Sequence, residues 1–190
     1  MIINWIESYL SDQINALRNL DLAKAKKIIH LILAKHKAKK RIFVAGNGGS
    51  ASNASHFVTD LGKSSADAIG ERINVLSLNE NLSWITAIGN DYCFEDIYSR
   101  QLSNYAQKDD LLFILSVSGN SPNIVKACRY AKENSINVIS LVGEKNCELD
   151  ALSDIVLHVP STHYGRVEDC EMTVCHLICY YLVENVTKIK

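Results

Sequence analysis

The 190-residue sequence has little net charge, with 20 Lys and Arg residues against 21 Asp and Glu residues. It therefore lacks the strong charge that favours a nucleic-acid or membrane-surface partner. No apolar run approaches the roughly 18 residues of a membrane-spanning helix. The N-terminus, MIINWIESYLSDQ, also lacks the basic start and apolar core of a signal peptide. We expect a soluble, cytoplasmic protein that binds neither membranes nor nucleic acid.

Closely spaced cysteine pairs are also missing. The six cysteines include no CxxC motif, and the closest two, Cys175 and Cys179, are four residues apart in a helical pattern. A chain of this length buries roughly 70% of its unfolded surface, so its core needs no disulfide framework. We expect reduced cysteines in a cytosolic protein.

The residues that are present, 47% hydrophobic and 22% charged, are typical of a globular domain. No repeat, low-complexity tract or linker divides the chain, so we expect one domain over residues 1–190. The first 40 residues are basic and contain a cluster formed by Lys35, Lys37, Lys39 and Lys40. We interpret this cluster as solvated side chains at a helix C-terminus, where the helix dipole favours cations, rather than as a nucleic-acid site.

Hydrophobic periodicity predicts two amphipathic helices within residues 1–40, the second beginning after Asp21 as its N-cap. Five short runs rich in Val and Ile then predict buried strands at 41–45, 73–78, 111–116, 137–142 and 155–159. Helical patterns alternate with them at about 50–63, 81–89, 94–106, 121–134 and 166–187. This alternation is typical of a parallel sheet covered on both faces, a three-layer α/β fold with five strands.

Two of the predicted strand-to-helix turns, residues 46–50 and 116–122, consist largely of Gly, Ser and Asn. Both follow the carboxyl ends of strands, where doubly wound sheets bind ligands. Small residues and a helix N-terminus allow backbone N–H groups to approach an anion. The second loop offers serine hydroxyls but no Lys or Arg, which favours a single phosphomonoester, and Ser121 and Pro122 suit the N-cap and first position of a helix. Either loop alone is explained equally well by a tight turn, but the pair indicates a phosphate site.

Side chains suited to acid/base or metal chemistry occur on two predicted helices. His56 and Asp60 are four residues apart, and Glu168, Asp169 and His176 fall on nearly one side of the last helix. Two histidines and two carboxylates can therefore converge. Each also has an ordinary structural explanation, His56 as a helix histidine and Glu168 as an acid favoured near a helix start.

Three segments together resemble the SIS-domain phosphoheptose isomerases, also called sedoheptulose 7-phosphate isomerases. They are GNGGSASNASHF (46–57), AIGNDYCFEDIYSRQ (87–101) and SVSGNSPNIVKA (116–127), followed by a final helix that carries His176. The resemblance covers nearly the whole chain. It implies an SIS fold and a cytoplasmic homotetramer whose active sites are lined by more than one subunit. It also implies interconversion of sedoheptulose 7-phosphate and D-glycero-D-manno-heptose 7-phosphate for lipopolysaccharide or capsule biosynthesis.

The resemblance implies roles for individual residues. Sugar contacts are implied for Asn47, Gly48, Gly49, Asn90 and Asp91. Phosphate contacts are implied for Ser116, Val117, Ser118 and Ser121. His56 and His176 stand at two positions that bind zinc in the family.

Two residues depart from the family's pattern. Asp60 stands where the family usually has Glu, a residue that resembles both a metal ligand and a catalytic base, and Glu168 stands where it usually has Gln. Asp60 is one methylene shorter, and a displacement of ~1 Å can cost roughly a hundredfold in rate. Glu168 adds a negative charge that strengthens binding of a divalent metal. We therefore expect a related isomerase whose sugar specificity can differ from that of the standard heptose enzyme.

Isomerisation needs a base near C1 and an acid near the carbonyl group, and we predict Asp60 and His176 for these roles. Asp60 and Glu168 are predicted to bind substrate as well. Zn²⁺ is the cofactor that the resemblance suggests, with His56, Asp60, Glu168 and His176 as its ligands. The alternative is a non-enzymatic SIS protein of the DnaA initiator-associating type, which tends to lose the terminal-helix histidine. A phosphosugar-sensing regulatory domain is less favoured, because the sequence shows no helix-turn-helix or other appended module.

Overall fold

The computed structural model describes residues 1–185. The chain begins with two helices, α1 (Ile2–Arg18) and α2 (Leu22–Lys37). As predicted, Asp21 caps α2, because its carboxylate accepts a hydrogen bond of 3.0 Å from the Lys24 backbone N–H. Within the described residues, no helix is long and apolar enough to cross a membrane.

The interpretation of the lysine cluster as solvated was wrong for Lys35. This side chain is only 8% exposed. Its ammonium group donates hydrogen bonds to the Asp109 carbonyl oxygen at 2.6 Å and to Asn137 Oδ1 at 2.5 Å. Burial lowers the pKa of Lys35. The residue therefore fixes α2 against the loops at one edge of the sheet, a contact that the helical pattern alone does not reveal.

Five parallel strands form one sheet: β1 (Ile42–Gly46), β2 (Val75–Ser77), β3 (Leu111–Ser116), β4 (Asn137–Val142) and β5 (Ile155–His158). Their order is β2-β1-β3-β4-β5. The central strands β1 and β3 are buried throughout, as expected of strands covered on both faces. The prediction of buried strands was wrong for the edges, since Leu76 of β2 is exposed and β5 is only partly buried. An edge strand has a neighbouring strand on one side only.

The remaining helices follow the sheet in the predicted alternation. They are α3 (Gly49–Thr59), α4 (Ala66–Ile69), α5 (Leu82–Asp91), α6 (Ser99–Tyr105), α7 (Pro122–Glu133), α8 (Leu149–Leu152) and α9 (Tyr164–Glu184). The sequence patterns missed α4 and α8, and they did not distinguish the π-helical segment, Asp60–Ser65, that joins α3 to α4. The helix predicted over 94–106 is divided into a 3₁₀ turn, Phe94–Asp96, and α6. Residues 186 and 187 of the last predicted helix lie outside the described residues.

Two hydrophobic clusters cover opposite faces of the sheet. The first joins Val44 and Phe113 of the sheet to Phe57 of α3 and Val174 of α9. The second contains Phe43 of β1 and residues of α5, α6 and α7. Adjacent strand residues point to opposite faces, so Phe43 and Val44 enter different clusters. The predicted three-layer arrangement is confirmed, and α3 and α9 share one layer.

Candidate active site

The first glycine-rich loop connects β1 to α3 and is held by side chains from other elements. The Tyr98 hydroxyl donates a hydrogen bond of 2.5 Å to the Gly46 carbonyl oxygen, and burial raises the pKa of Tyr98 to about 12, so this donor keeps its proton. The amides of Asn47 and Asn123 bond each other in both directions at 2.9 Å. Gly48 has a φ of +56°, a conformation that favours glycine. The loop is therefore fixed before any ligand binds.

The second loop connects β3 to α7 and places several hydroxyl groups together. Ser116 Oγ accepts a hydrogen bond of 3.2 Å from the Gly119 backbone N–H. The hydroxyl oxygens of Ser118 and Ser121 are 3.4 Å apart. As predicted, α7 begins at Pro122 with Ser121 at its N-cap position, although the Ser121 side chain makes no capping hydrogen bond within the described structure. The hydroxyl groups of Ser118 and Ser121 thus lie at a helix N-terminus and can donate to an anion.

A cluster of three side chains forms where α3, the π-helical segment and α9 meet. One carboxylate oxygen of Asp60, Oδ2, lies 3.3 Å from His56 Nε2 and 3.5 Å from His176 Nε2. The two imidazole rings are edge to face, with centroids 5.2 Å apart. One potential ligand atom from each residue lies within 4.8 Å of the others. Asp60 is also the first residue of the π-helical segment, a type of distortion that is frequent at functional sites.

Within one chain Glu168 does not join this cluster, so the structure brings together three of the four predicted metal ligands. Among the residues that the structure describes, the cluster consists of His56, Asp60 and His176. The Glu168 carboxylate lies against Gly49 instead, since a Cβ atom on Gly49 would be 2.4–2.5 Å from it. Eight residues of helix correspond to a rise of about 12 Å. Glu168 and His176 therefore lie on the same side of α9 but about 12 Å apart along its axis. Glu168 therefore stands beside the start of α3, where the helix dipole favours negative charge.

Asn90 and Asp91 lie at the exposed C-terminal end of α5, and the Asn90 amide donates to Asp91 Oδ1 at 2.9 Å. A cavity of about 770 Å³ adjoins the second loop at Asn120 and Pro122. A smaller cavity of about 100 Å³ is lined in part by Val117 and Ser118. The three residues of the cluster line neither of these two cavities. Neither of these two cavities therefore joins the cluster to the second loop.

Sequence reasoning missed Glu171, a fully buried residue of α9. Its Oε2 accepts hydrogen bonds from the Ser50 hydroxyl at 2.9 Å and from the Asn53 amide at 3.4 Å. Burial, with a smaller effect of the Glu168 charge, raises the pKa of Glu171 to about 8. Glu171 stands four residues after Val167 and three before Val174, both apolar. A carboxyl group on the apolar face of a helix was the signal that could have identified it.

Comparison with known proteins places the chain in a family. Residues 7–143 match the family model described as the SIS domain. Phosphoheptose isomerase of Helicobacter pylori (strain ATCC 700392 / 26695) is 36% identical over 155 residues, which are 81% of this chain and 80% of the relative. The chain belongs to the SIS-domain phosphoheptose isomerases. Another member of this family, phosphoheptose isomerase of Mycobacterium bovis (strain BCG / Pasteur 1173P2), is 33% identical over 159 residues, with coverage of 83% and 80%.

Solved structures of phosphoheptose isomerases have the same fold. The Neisseria gonorrhoeae enzyme superimposes with a TM-score of 0.89 at 26% sequence identity, and the match covers 97% of this chain and 100% of that one. The enzyme of Francisella tularensis gives the same TM-score and coverage at 25% identity. The family and the SIS fold that the sequence segments predict are therefore confirmed.

Proposed function

We propose that this protein is an aldose–ketose isomerase that interconverts sedoheptulose 7-phosphate and D-glycero-D-manno-heptose 7-phosphate. Its relatives are named phosphoheptose isomerases. The observation that carries the proposal for this chain is the convergence of Asp60 with His56 and His176. Isomerisation needs a proton acceptor and a proton donor side by side. A binding protein of the same fold has no need of this arrangement, which makes the DnaA initiator-associating alternative less favoured.

In the proposed reaction, Asp60 and His176 move protons between the substrate's C1 and C2 atoms. The Asp60 carboxylate accepts the proton from C1 of the ketose, and His176 donates a proton to the carbonyl oxygen at C2, which gives an enediol. The proton on Asp60 then returns to C2, and His176 takes the proton from the hydroxyl on C1, which gives the aldose. Both side chains end in their starting states, and their separation of 3.5 Å allows them to act on adjacent atoms.

The cluster also fits a zinc site. Two imidazole nitrogens and one carboxylate oxygen are ligand types that Zn²⁺ uses at catalytic centres. We assign His56, Asp60 and His176 as the residues that would hold the ion. Because Asp60 and His176 are also the acid/base pair, a ligand would have to exchange for these two residues to transfer protons. When bound, the metal would polarise the substrate's carbonyl group. A three-residue ligand set would leave the ion able to polarise a bound carbonyl group, whereas the four-residue set with Glu168 would compete with the substrate.

The two loops would bind opposite ends of the substrate. Ser116, Val117, Ser118 and Ser121 would hold the phosphate group, since their loop combines hydroxyl donors with a helix N-terminus. Asn47, Gly48 and Gly49 would contact sugar hydroxyl groups. The Glu168 carboxylate beside Gly49 suits a neutral hydroxyl better than an anion, which supports this division between the loops.

We expect a homotetramer in which residues of different subunits complete one active site. The outer face of α1 exposes large apolar residues: Ile2 at 75%, Ile3 at 69%, Trp5 at 65%, Leu10 at 54% and Ile14 at 48%. Such a patch is typical of a protein interface. In the assembly, Asn90 and Asp91 of one subunit would contact sugar bound to another, because both are exposed at the end of α5.

The decisive experiment incubates the purified protein with sedoheptulose 7-phosphate and a panel of other ketose phosphates. Product formation is followed by NMR, and the metal content is measured on the same sample. Conversion of sedoheptulose 7-phosphate to the heptose phosphate is the expected result. Conversion of a different ketose phosphate alone would retain the isomerase and change its substrate. Failure to convert any of them, with zinc present, would favour the binding-protein alternative.

A further inference from the structure

The carboxyl group of Glu171 takes no part in the proton transfers described above, yet it lies between the two helices that carry the catalytic cluster. Its side chain is 0% exposed. Oε2 accepts hydrogen bonds from Ser50 and Asn53, both on α3. Glu171 itself belongs to α9, five residues before His176. The group therefore joins the helix of His56 to the helix of His176.

The second oxygen of this carboxyl group, Oε1, is fully buried and has no hydrogen-bond partner among the described residues. An unpartnered polar atom in a protein interior is costly and uncommon. Burial raises the pKa of Glu171 to about 8, so the carboxyl group is mainly neutral at pH 7, which avoids the larger cost of a buried charge. An apolar residue would avoid the cost altogether, so the presence of a polar group here needs an explanation.

A second contact strengthens the same junction. Asn53 donates a hydrogen bond of 2.8 Å to the Glu168 carbonyl oxygen, so its amide touches α9 at two points. Ser50, Asn53 and Glu171 thus form a polar bracket near the start of α3. Asp60 lies ten residues beyond Ser50, about 15 Å along a helix. Because a helix is stiff over this length, a small rotation at the bracket moves His56 and Asp60 relative to His176.

We propose that Glu171 is a positioning residue of the active site. By fixing Ser50 and Asn53 against α9, it sets the separation between the His56–Asp60 pair and His176. The catalytic consequence rests on the proposed function, whereas the separation itself is a property of the folded chain. Second-sphere groups that orient ligands commonly change metal affinity or activity by about 10–100-fold when they are removed.

Two variants and a control test the bracket. Glu171→Gln keeps a carbonyl oxygen that accepts from Ser50, whereas Glu171→Met has similar length and no acceptor of comparable strength. Met172→Leu, at the partly buried neighbouring position of α9, controls for a change of packing alone. The imidazole NMR resonances of His56 and His176 are recorded without metal or substrate. Since the rings are edge to face at 5.2 Å, ring currents make these resonances sensitive to their separation.

We expect the resonances to shift in Glu171→Met and to remain in place in Glu171→Gln and Met172→Leu. Zinc affinity, measured by competition with a chromophoric chelator, should fall by about 10–100-fold only in Glu171→Met. The kcat should fall with it, while the affinity for inorganic phosphate, which would bind at the separate second loop, stays unchanged. If Glu171→Met does not fold, Ser50→Ala removes the same hydrogen bond with a smaller change and takes its place.

A folded Glu171→Met variant with unchanged imidazole resonances would overturn the proposal. An equally large effect in Glu171→Gln would do so too, because that variant keeps the acceptor. The experiment distinguishes failure of the isomerase function from failure of the positioning role of Glu171. If the parent protein converts no sugar phosphate but the resonances shift as expected, the isomerase function is lost and the positioning role stands. If the parent binds no zinc, the resonances alone decide the positioning role.

Discussion

One carboxylate oxygen of Asp60 lies 3.5 Å from the Nε2 atom of His176, although the two residues belong to different helices. The same oxygen lies 3.3 Å from His56. The shorter aspartate side chain, where the family usually has glutamate, therefore already reaches both histidines. This contact determines what substitutions in the cluster should do.

Removal of either member of the acid/base pair should abolish most turnover. Asp60→Asn loses the proton acceptor and His176→Ala loses the donor, and general acid/base groups typically contribute about 10²–10⁴-fold to rate. Phosphate binding should persist, because the second loop is separate. The kcat is measured with the metal content of each variant matched, and Asp67→Asn, an exposed acid on α4, is the control. Full activity in a metal-matched variant would remove that residue from the mechanism.

Lengthening Asp60 to glutamate should lower activity rather than raise it. The additional methylene displaces a carboxylate that already contacts both imidazoles, and a displacement of ~1 Å can cost roughly a hundredfold in rate. The kcat/KM for sedoheptulose 7-phosphate is compared between the parent and Asp60→Glu. A higher value in the variant would show that the short side chain is a handicap in this protein.

Loss of hydroxyl groups from the second loop should weaken phosphate binding. Ser118→Ala and Ser121→Ala should each cost about 1–3 kcal/mol, as expected for a hydrogen bond to a charged group. Titration calorimetry with inorganic phosphate measures the change directly. Ser103→Ala is a suitable control, because Ser103 is an exposed residue of α6 whose hydroxyl donates to the Arg100 carbonyl oxygen. Equal affinities of all three variants would place the phosphate elsewhere.

The apolar face of α1 should hold a tetramer together. Light scattering of the parent should give about four times the 21.1 kDa chain mass. Replacement of Trp5, which is 65% exposed, by Glu should yield smaller species, because a charge buried in an interface without a partner is costly. Ser8→Glu, a charge at another exposed position of α1, shows whether the effect is specific to the apolar residues. A parent that remains a monomer at micromolar concentration would contradict both the assembly and the shared site.

The raised pKa of Glu171 should make the stability of the protein depend on pH. An unfolded chain ionises this carboxyl group above about pH 4.5, whereas the folded state holds the proton up to about pH 8. Protons are therefore bound preferentially by the folded state between these values, and the contribution to stability falls as pH rises. The slope for one proton approaches about 1.4 kcal/mol per pH unit.

Comparison with Glu171→Gln isolates this effect from other titrating groups. The free energy of unfolding of both proteins is measured by denaturant titration from pH 4 to pH 9. As pH rises through this window, the parent should lose stability relative to Glu171→Gln. A difference that is constant with pH would mean that Glu171 is ionised in the folded protein.

Much of the fold could be predicted because its signals are local. Asp21 caps α2 through a residue three positions away, and Pro122 begins α7, as the spacing of these residue types indicates. The strands β3 and β4 begin and end where their apolar runs do. The π-helical segment beginning at Asp60 could not be predicted, since it depends on packing rather than on a residue pattern.

The sequence by itself determined most of the elements, their alternation and the family, because periodicity and short motifs are local properties of the chain. Tertiary structure alone decided which side chains meet. Helical spacing predicts that Glu168 and His176 lie on the same side of α9. It does not predict which residues of α3 and the π-helical segment lie opposite them. In the folded chain His176 contacts Asp60, and Glu168 contacts Gly49. Burial of the Glu171 carboxyl group likewise depends on the position of α3, since only packing converts an ordinary acidic residue into a neutral one held between two helices.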